Sequence, residues 1–122
     1  MNWITILIVM AAIALFLTIS KAGQISAKDA TGYLKNGALV IDVRSRSEFD
    51  SGHLTNAINI PLDEIESALP KRVTDKSQVL LLHCASGMRS GMAQKKLNRL
   101  GYTNAFNLGS YGRAKSILNQ QP

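Results

Sequence analysis

The sequence predicts an α/β fold, a parallel sheet flanked by helices on both faces and preceded by one transmembrane helix. Three observations predict it. Two apolar runs, Ala38 to Val43 and Val79 to Leu82, lack the alternation of a half-exposed strand and fit strands covered on both faces. Between and after them, apolar residues recur at helical spacing, as at Leu62, Ile65 and Leu69 and at Met92, Ala93, Leu97 and Leu100. Strands separated by helices call for right-handed crossovers, and hence a parallel sheet. Finally, Met1 to Ser20 carries no ionisable side chain, and Trp3 to Ile19 is apolar but for Thr5 and Thr18.

With 122 residues there is room for one domain. The organisation expected is a transmembrane helix over 1–20, a linker over 21–25 and the α/β domain over 26–122. The net charge of +6 comes from lysines and arginines scattered along the chain rather than gathered with aromatics, which argues against nucleic acid as a partner. A single cysteine excludes an intramolecular disulfide and a cysteine-based zinc cluster. No metal or organic cofactor is expected.

The leading segment lacks the basic n-region of a signal peptide and is apolar on every face, unlike a buried helix of a globular domain. It reads as a single-pass membrane anchor in contact with lipid through residues 1–20. Trp3 stands at one interface, and Lys21, Lys28 and Lys35 beyond the other put the domain at the cytoplasmic face.

Ser26 offers an N-cap for a helix over Ala27 to Lys35, ended by Asn36-Gly37. The strand Ala38 to Val43 runs into Asp42, Arg44 and Ser45. A short helix from Ser47 to Ser51 stops at Gly52, and Ala57 to Ile60 makes a strand closed by Pro61. Leu62 to Leu69 is a helix with an acidic first turn, and Pro70 to Ser77 is a basic loop. After the strand at Val79, a helix begins at Ser90 and is capped by Gly101. A last strand over Asn104 to Leu108 and a last helix over Tyr111 to Asn119 complete the chain.

In parallel sheets the functional crevice lies at the carboxyl ends of the strands. Both Asp42-Val43-Arg44 and the only cysteine, Cys84, fall there. Cys84 stands where strand becomes helix, with Gly87 relaxing the turn and the positive end of the helix dipole behind it. Amides from Ala85 to Arg89 can form an anion cradle, which favours a thiolate, a persulfide or a bound oxyanion. Candidate substrate-binding residues are Ala85, Ser86, Gly87, Met88, Arg89 and Ser90, with Met88 and Ser86 at the mouth and Arg89 as the side chain to attract an anionic donor.

These residues resemble a single-domain rhodanese, a sulfurtransferase. The resemblance is carried by Val40-Ile41-Asp42-Val43-Arg44, Glu48-Phe49, Gly52-His53-Leu54, Ala57 to Leu62, and Cys84-x-x-Gly87-x-Arg89-Ser90, and it runs from about Ile25 to Leu108. It implies a rhodanese-like fold and a Cys84 that cycles through a persulfide. Cys84 takes sulfane sulfur from a small donor such as thiosulfate and yields it to cyanide or a thiol, with a sulfur-relay protein as a further partner. Asp42 and Arg44 become supporting residues near the site. Phosphatases and arsenate reductases of the same fold place five residues between cysteine and arginine; here only Ala85, Ser86, Gly87 and Met88 intervene, which favours a sulfur-sized loop. A membrane-tethered binding module without turnover is the remaining alternative. The family's Gly-Gly and tryptophan after the last strand are replaced by Gly109-Ser110-Tyr111-Gly112.

Among the remaining polar residues, His53 in the Gly-His-Leu turn reads as structural. His83 precedes Cys84 in its strand and so points to the opposite face, which excludes a Cys-His dyad.

Overall fold

The computed structural model describes residues 2–120, the side chains of residues 19–22 excepted. Met1, Gln121 and Pro122, at the ends of the expected anchor and domain, lie outside the described residues.

Among the described residues, four strands form one parallel sheet in the order β2-β1-β3-β4: β1 (Leu39–Asp42), β2 (Ile58–Asn59), β3 (Leu80–His83) and β4 (Ala105–Gly109). Ile41 pairs with Ile58 on one side and Leu82 on the other, and Asp42 stands beside His83. Between Leu82 and His83 the register against β4 slips, so that His83 faces Gly109. Because β1 and β3 are central, both of their faces are covered, as their unbroken apolar runs require. On one face, Ile41, Val43, Leu80, Leu82 and Cys84 pack against Ile65 and Leu69 of α4 (Ile65–Arg72) and Ala93 and Leu97 of α5 (Met88–Arg99). On the other, Val40, Leu81 and Leu108 pack against Ala30 of α2 (Ala27–Lys35) and Ala114 and Ile117 of α6 (Tyr111–Asn119).

The helix boundaries follow from local chemistry. The Ser26 hydroxyl accepts from Asp29 N at the start of α2, and Ser110 does the same from Arg113 N for α6. The short α3 (Arg46–Ser51) is secured by a reciprocal capping box between Ser45 and Glu48.

Several expectations are corrected. The segment Leu62–Glu64 is a 3-10 turn, and α4 then continues through Pro70 to Arg72 instead of breaking there. Proline's φ suits a helix, burial of Leu69 holds the turn to the core, and Val73 N closes on Leu69 O at 2.8 Å. Helix α5 starts at Met88, two residues before Ser90, and Met92 faces solvent rather than the core. At the N-terminus, α1 spans Trp3–Ala22 and so takes in the first part of the expected 21–25 linker. The rest of that segment joins the sheet edge, where Gln24 bridges to Asn107 and Ile25 N donates to Asn107 O at 2.9 Å.

Among the described residues, no helix is long and apolar enough to cross a membrane, so the transmembrane and single-pass reading of residues 1–20 is not supported. At 1.5 Å per residue, the apolar run Trp3 to Ile19 rises roughly 26 Å before Ser20 and Lys21, against a hydrocarbon core of ~30 Å. The described apolar side chains of α1, from Trp3 to Leu17, are nonetheless exposed.

Candidate active site

Cys84 leaves β3 at its carboxyl end, anchored by Cys84 N donating to Gly109 O at 3.2 Å. Its side chain lies on the α4/α5 face and is fully buried. The next residues fold into a tight loop. Gly87 adopts φ +97°, a left-handed conformation that an L side chain resists, and this turns its N–H onto Cys84 Sγ at 3.0 Å. Helix α5 begins with the next residue, so the positive end of its dipole faces the sulfur.

Ser90, also buried, stands 3.6 Å from Sγ through its hydroxyl, which lies 2.7 Å from Asn107 Oδ1 and 3.1 Å from Gly87 O. One hydroxyl proton serves one of these acceptors at a time. Asn107 fixes the loop from β4: its Nδ2 donates to Gly87 O at 3.0 Å and its Oδ1 accepts from Gly109 N at 2.9 Å. The outer edge is held by α6. Tyr111 N donates to Ala85 O at 3.3 Å, and Ser86 bridges to Ser110. Ala85, Ser86 and Met88 are exposed, Arg89 is half-buried, and Gly87 and Ser90 are buried.

Burial pushes the Cys84 thiol up, but hydrogen bonds from the Ser90 side chain and from the N–H groups of Ser90, Gly87 and Ser86 outweigh it. The net effect holds its pKa below the ordinary thiol value.

Arg89, expected to attract an anionic donor, is paired with a carboxylate from α3. Its guanidinium grips Glu48 with both terminal nitrogens, at 2.7 and 3.0 Å. The Arg89 hydrogen bonds, against a burial effect of opposite sign and with help from Ser45, hold Glu48 at about 2. Glu48 in turn raises Arg89, with a further contribution from Cys84. Glu48 was not singled out as a site residue, although its place in a Ser-x-x-Glu capping pattern is visible in the sequence. Asn107 was also missed; a buried asparagine in an otherwise apolar strand is the signal that could have found it.

Asp42 and Arg44 belong to the other face of the sheet and do not touch the sulfur. The Asp42 carboxylate is fully buried and accepts from Arg44 N, Nε and a terminal nitrogen at 2.8 to 3.0 Å. Arg44 also donates to Gly52 O at 2.8 Å and lies over the Tyr111 ring, 4.8 Å from its centroid. Tyr111 further meets the His83 ring edge-on at 5.9 Å. In this way the tyrosine links the β1 turn, β3 and the cysteine loop. His83 points away from Cys84 Sγ, and burial, opposed by Asp42, lowers its pKa. The neutral ring makes its 3.7 Å approach to Asp42 no ion pair at neutral pH. His53 stacks on Phe49 at 3.8 Å, consistent with a structural part.

Among the described residues, no three His, Cys, Asp or Glu side chains come together as metal ligands. An open cavity of about 780 Å³ between α2, α6 and the α3–β2 connection is lined by Leu34, Leu54, Tyr111 and Lys115 among others, and neither Cys84 nor its loop lines it. Within the loop, hydrogen-bond donors from Gly87 and Ser90 converge on the Cys84 sulfur.

A sole cysteine at the end of a central parallel strand, ringed by amide donors at a helix start, defines an α/β cysteine-loop domain built to hold negative charge on sulfur or on a bound oxyanion. The chain belongs to the rhodanese-like domain family, whose sequence profile matches residues 26–112. It is 38% identical over 69 residues to the thiosulfate sulfurtransferase PspE of Escherichia coli K12, covering 57% of this chain and 66% of PspE. Among solved structures, an E. coli rhodanese with anions matches with a TM-score of 0.61 and 34% identity, over 63% of this chain and 91% of that one. The human single-domain sulfurtransferase TSTD1 matches with a TM-score of 0.63 and 28% identity, over 82% and 98%.

Proposed function

We propose that the chain is a sulfurtransferase whose Cys84 carries sulfane sulfur as a persulfide. The observation that carries the reading is the Gly87 N–H held 3.0 Å from Cys84 Sγ, in a loop that lowers the thiol's pKa. The relation to PspE and TSTD1 supports it.

In the first displacement, the Cys84 thiolate attacks the outer sulfur of thiosulfate. The sulfur–sulfur bond of the donor breaks, sulfite leaves with the bonding pair, and Cys84–S–S⁻ remains. In the second, cyanide or a thiolate attacks the outer sulfur and regenerates the Cys84 thiolate, giving thiocyanate or a new persulfide. Neither step needs a metal or an organic cofactor. The amides of Ser86, Gly87 and Ser90 hold the negative charge in each state. Because the sulfur is buried, a donor reaches it as loop side chains move aside. A sulfur-relay protein fits the acceptor role, since the exposed side chains Ala85, Ser86 and Met88 are what a partner first meets. For α1, lipid is the proposed partner of the exposed apolar side chains; the full chain then floats with phosphatidylcholine vesicles, and exchanging Leu7 and Met10 for asparagine reduces that binding.

The deciding experiment is intact-mass measurement after thiosulfate treatment. The protein gains one sulfur atom, cyanide removes it, and Cys84→Ser never acquires it. Absence of the adduct in the unmodified chain overturns the reading.

A further inference from the structure

We infer that the cavity between α2, α6 and the α3–β2 connection is a second binding site, for a small organic anion with an apolar body, and that Tyr111 ties it to the cysteine loop. Size and lining are the first observation. At about 780 Å³ the cavity falls within the roughly 300–1,000 Å³ of small-molecule sites, which join an apolar lining to a few polar groups. Val40 and Leu54, both buried, and Leu34 and Leu118, both half-buried, supply the apolar part.

Charge is the second observation, and it selects the ligand. Lys35 of α2 and Lys115 of α6 line the same cavity, both are exposed, and neither has an ion pair among the described residues. By contrast, the arginines nearest the cysteine loop are matched by carboxylates, Arg44 by Asp42 and Arg89 by Glu48. No aspartate or glutamate lines the cavity among the described residues, so its titratable groups are the two lysines, His53 and the Tyr111 phenol. Two uncompensated cations beside an apolar lining favour a molecule with negative charge at one end and apolar atoms at the other. A cationic ligand meets like charge, and a neutral one leaves both lysines unused.

The link to the loop runs through Tyr111, which lines the cavity. Its N–H donates to Ala85 O at 3.3 Å, and its ring meets Arg44 and His83. A ligand packed on Tyr111 therefore reaches the first turn of α6 and, through one hydrogen bond, the residue after Cys84. The site stands whether or not Cys84 carries sulfur, and its test uses no sulfur donor.

The test is an amide NMR titration of the isotope-labelled full chain with phenylbutyrate, phenylbutanol, phenylbutylamine and acetate. The first three share an apolar body and differ in charge; acetate has the charge without the body. Phenylbutyrate is expected to move the signals of Leu34, Leu54 and Lys115 in one saturable titration, and those of Tyr111 and Ala85 with the same midpoint. The alcohol binds roughly tenfold more weakly, the amine more weakly still, and acetate moves none of these signals. Each lysine is worth up to about fivefold, the upper range for an exposed ion pair, so Lys35→Gln and Lys115→Gln each weaken phenylbutyrate by about that factor and leave the alcohol unchanged. Equal midpoints for acid, alcohol and amine, or lysine variants that bind the acid as before, overturn the charge assignment. Shifts confined to α1, or none at Leu54, overturn the site. Cavity signals that move while Ala85 stays still overturn the link through Tyr111.

Discussion

Replacing Gly87 with alanine tests whether the loop is built on one left-handed residue. At φ +97°, an L side chain costs about 1–2 kcal/mol. The new Cβ lies 3.0 Å from Gln24 Nε2 and 3.4 Å from the Gly109 backbone. The glutamine end can swing away, so the contact adds little, and the expected loss is about 1–2 kcal/mol, or roughly 5–10 °C in Tm for a domain of this size. If the backbone instead relaxes toward negative φ, the Gly87 N–H swings off Cys84 Sγ and the thiol pKa rises toward its ordinary value. Either way the sulfur-transfer rate falls. The assay is the pH dependence of iodoacetamide alkylation, which with a single cysteine reports Cys84 alone, paired with thermal unfolding. Gly37→Ala is the control: its φ is +91° and no atom lies within 4 Å of the added Cβ, so it carries a similar backbone cost. It leaves the thiol untouched. A Gly87→Ala protein with unchanged Tm and alkylation profile refutes the argument, as does an equal effect of Gly37→Ala on the thiol.

Further predictions follow from the same contacts. Ser90→Ala removes a buried donor to Sγ and a partner of Asn107; alkylation at neutral pH slows, and denaturant unfolding shows a loss of about 1 kcal/mol. Asp42→Asn leaves the Arg44 cation buried without its carboxylate, which costs about 3–5 kcal/mol in urea unfolding even though neither residue touches the sulfur. Stability also depends on pH through His83, whose folded pKa is lowered by burial against the opposing pull of Asp42. Its contribution is full above imidazole's ordinary value of about 6.5 and is lost as pH falls below it, because the unfolded chain takes up the proton first. The urea midpoint is therefore expected to drop between about pH 7.5 and 5.5, and the drop shrinks in His83→Gln.

The parts of the fold that could be read in the sequence are those set by neighbours along the chain. Helices α2 and α6 run over the expected residues because Ser26 and Ser110 cap them locally. The central strands declared themselves by apolar runs that only two-sided burial explains. Pro70 misled because a local rule, that proline ends helices, yielded to the burial of Leu69 beside it. Met92 misled because helical spacing marks a face without saying what covers it. At the site, the cysteine, the loop glycine and Ser90 were legible as neighbours in one segment. The Glu48–Arg89 pair was not, since its members stand 41 residues apart and meet only when α3 and α5 are both folded. Asn107 is similar: its side chain reaches Ser90 and Gly87 from a strand that pairs with β3 after a complete crossover.

The size of the loop gains meaning from where its amides point. Four residues separate Cys84 from Arg89, and the left-handed Gly87 brings its N–H to 3.0 Å from the sulfur atom. A cradle for a tetrahedral oxyanion needs its amides to converge on a point beyond the nucleophile, with open volume between. Here the Gly87 N–H points at the Cys84 sulfur itself, Cys84 is without exposed surface, and the cavity of about 780 Å³ lies elsewhere. Negative charge on the Cys84 sulfur is thus met by the loop directly. The same closure explains why Arg89 can be given over to Glu48: with the amides and the α5 dipole holding the anion, the guanidinium is free to tie α3 to the loop.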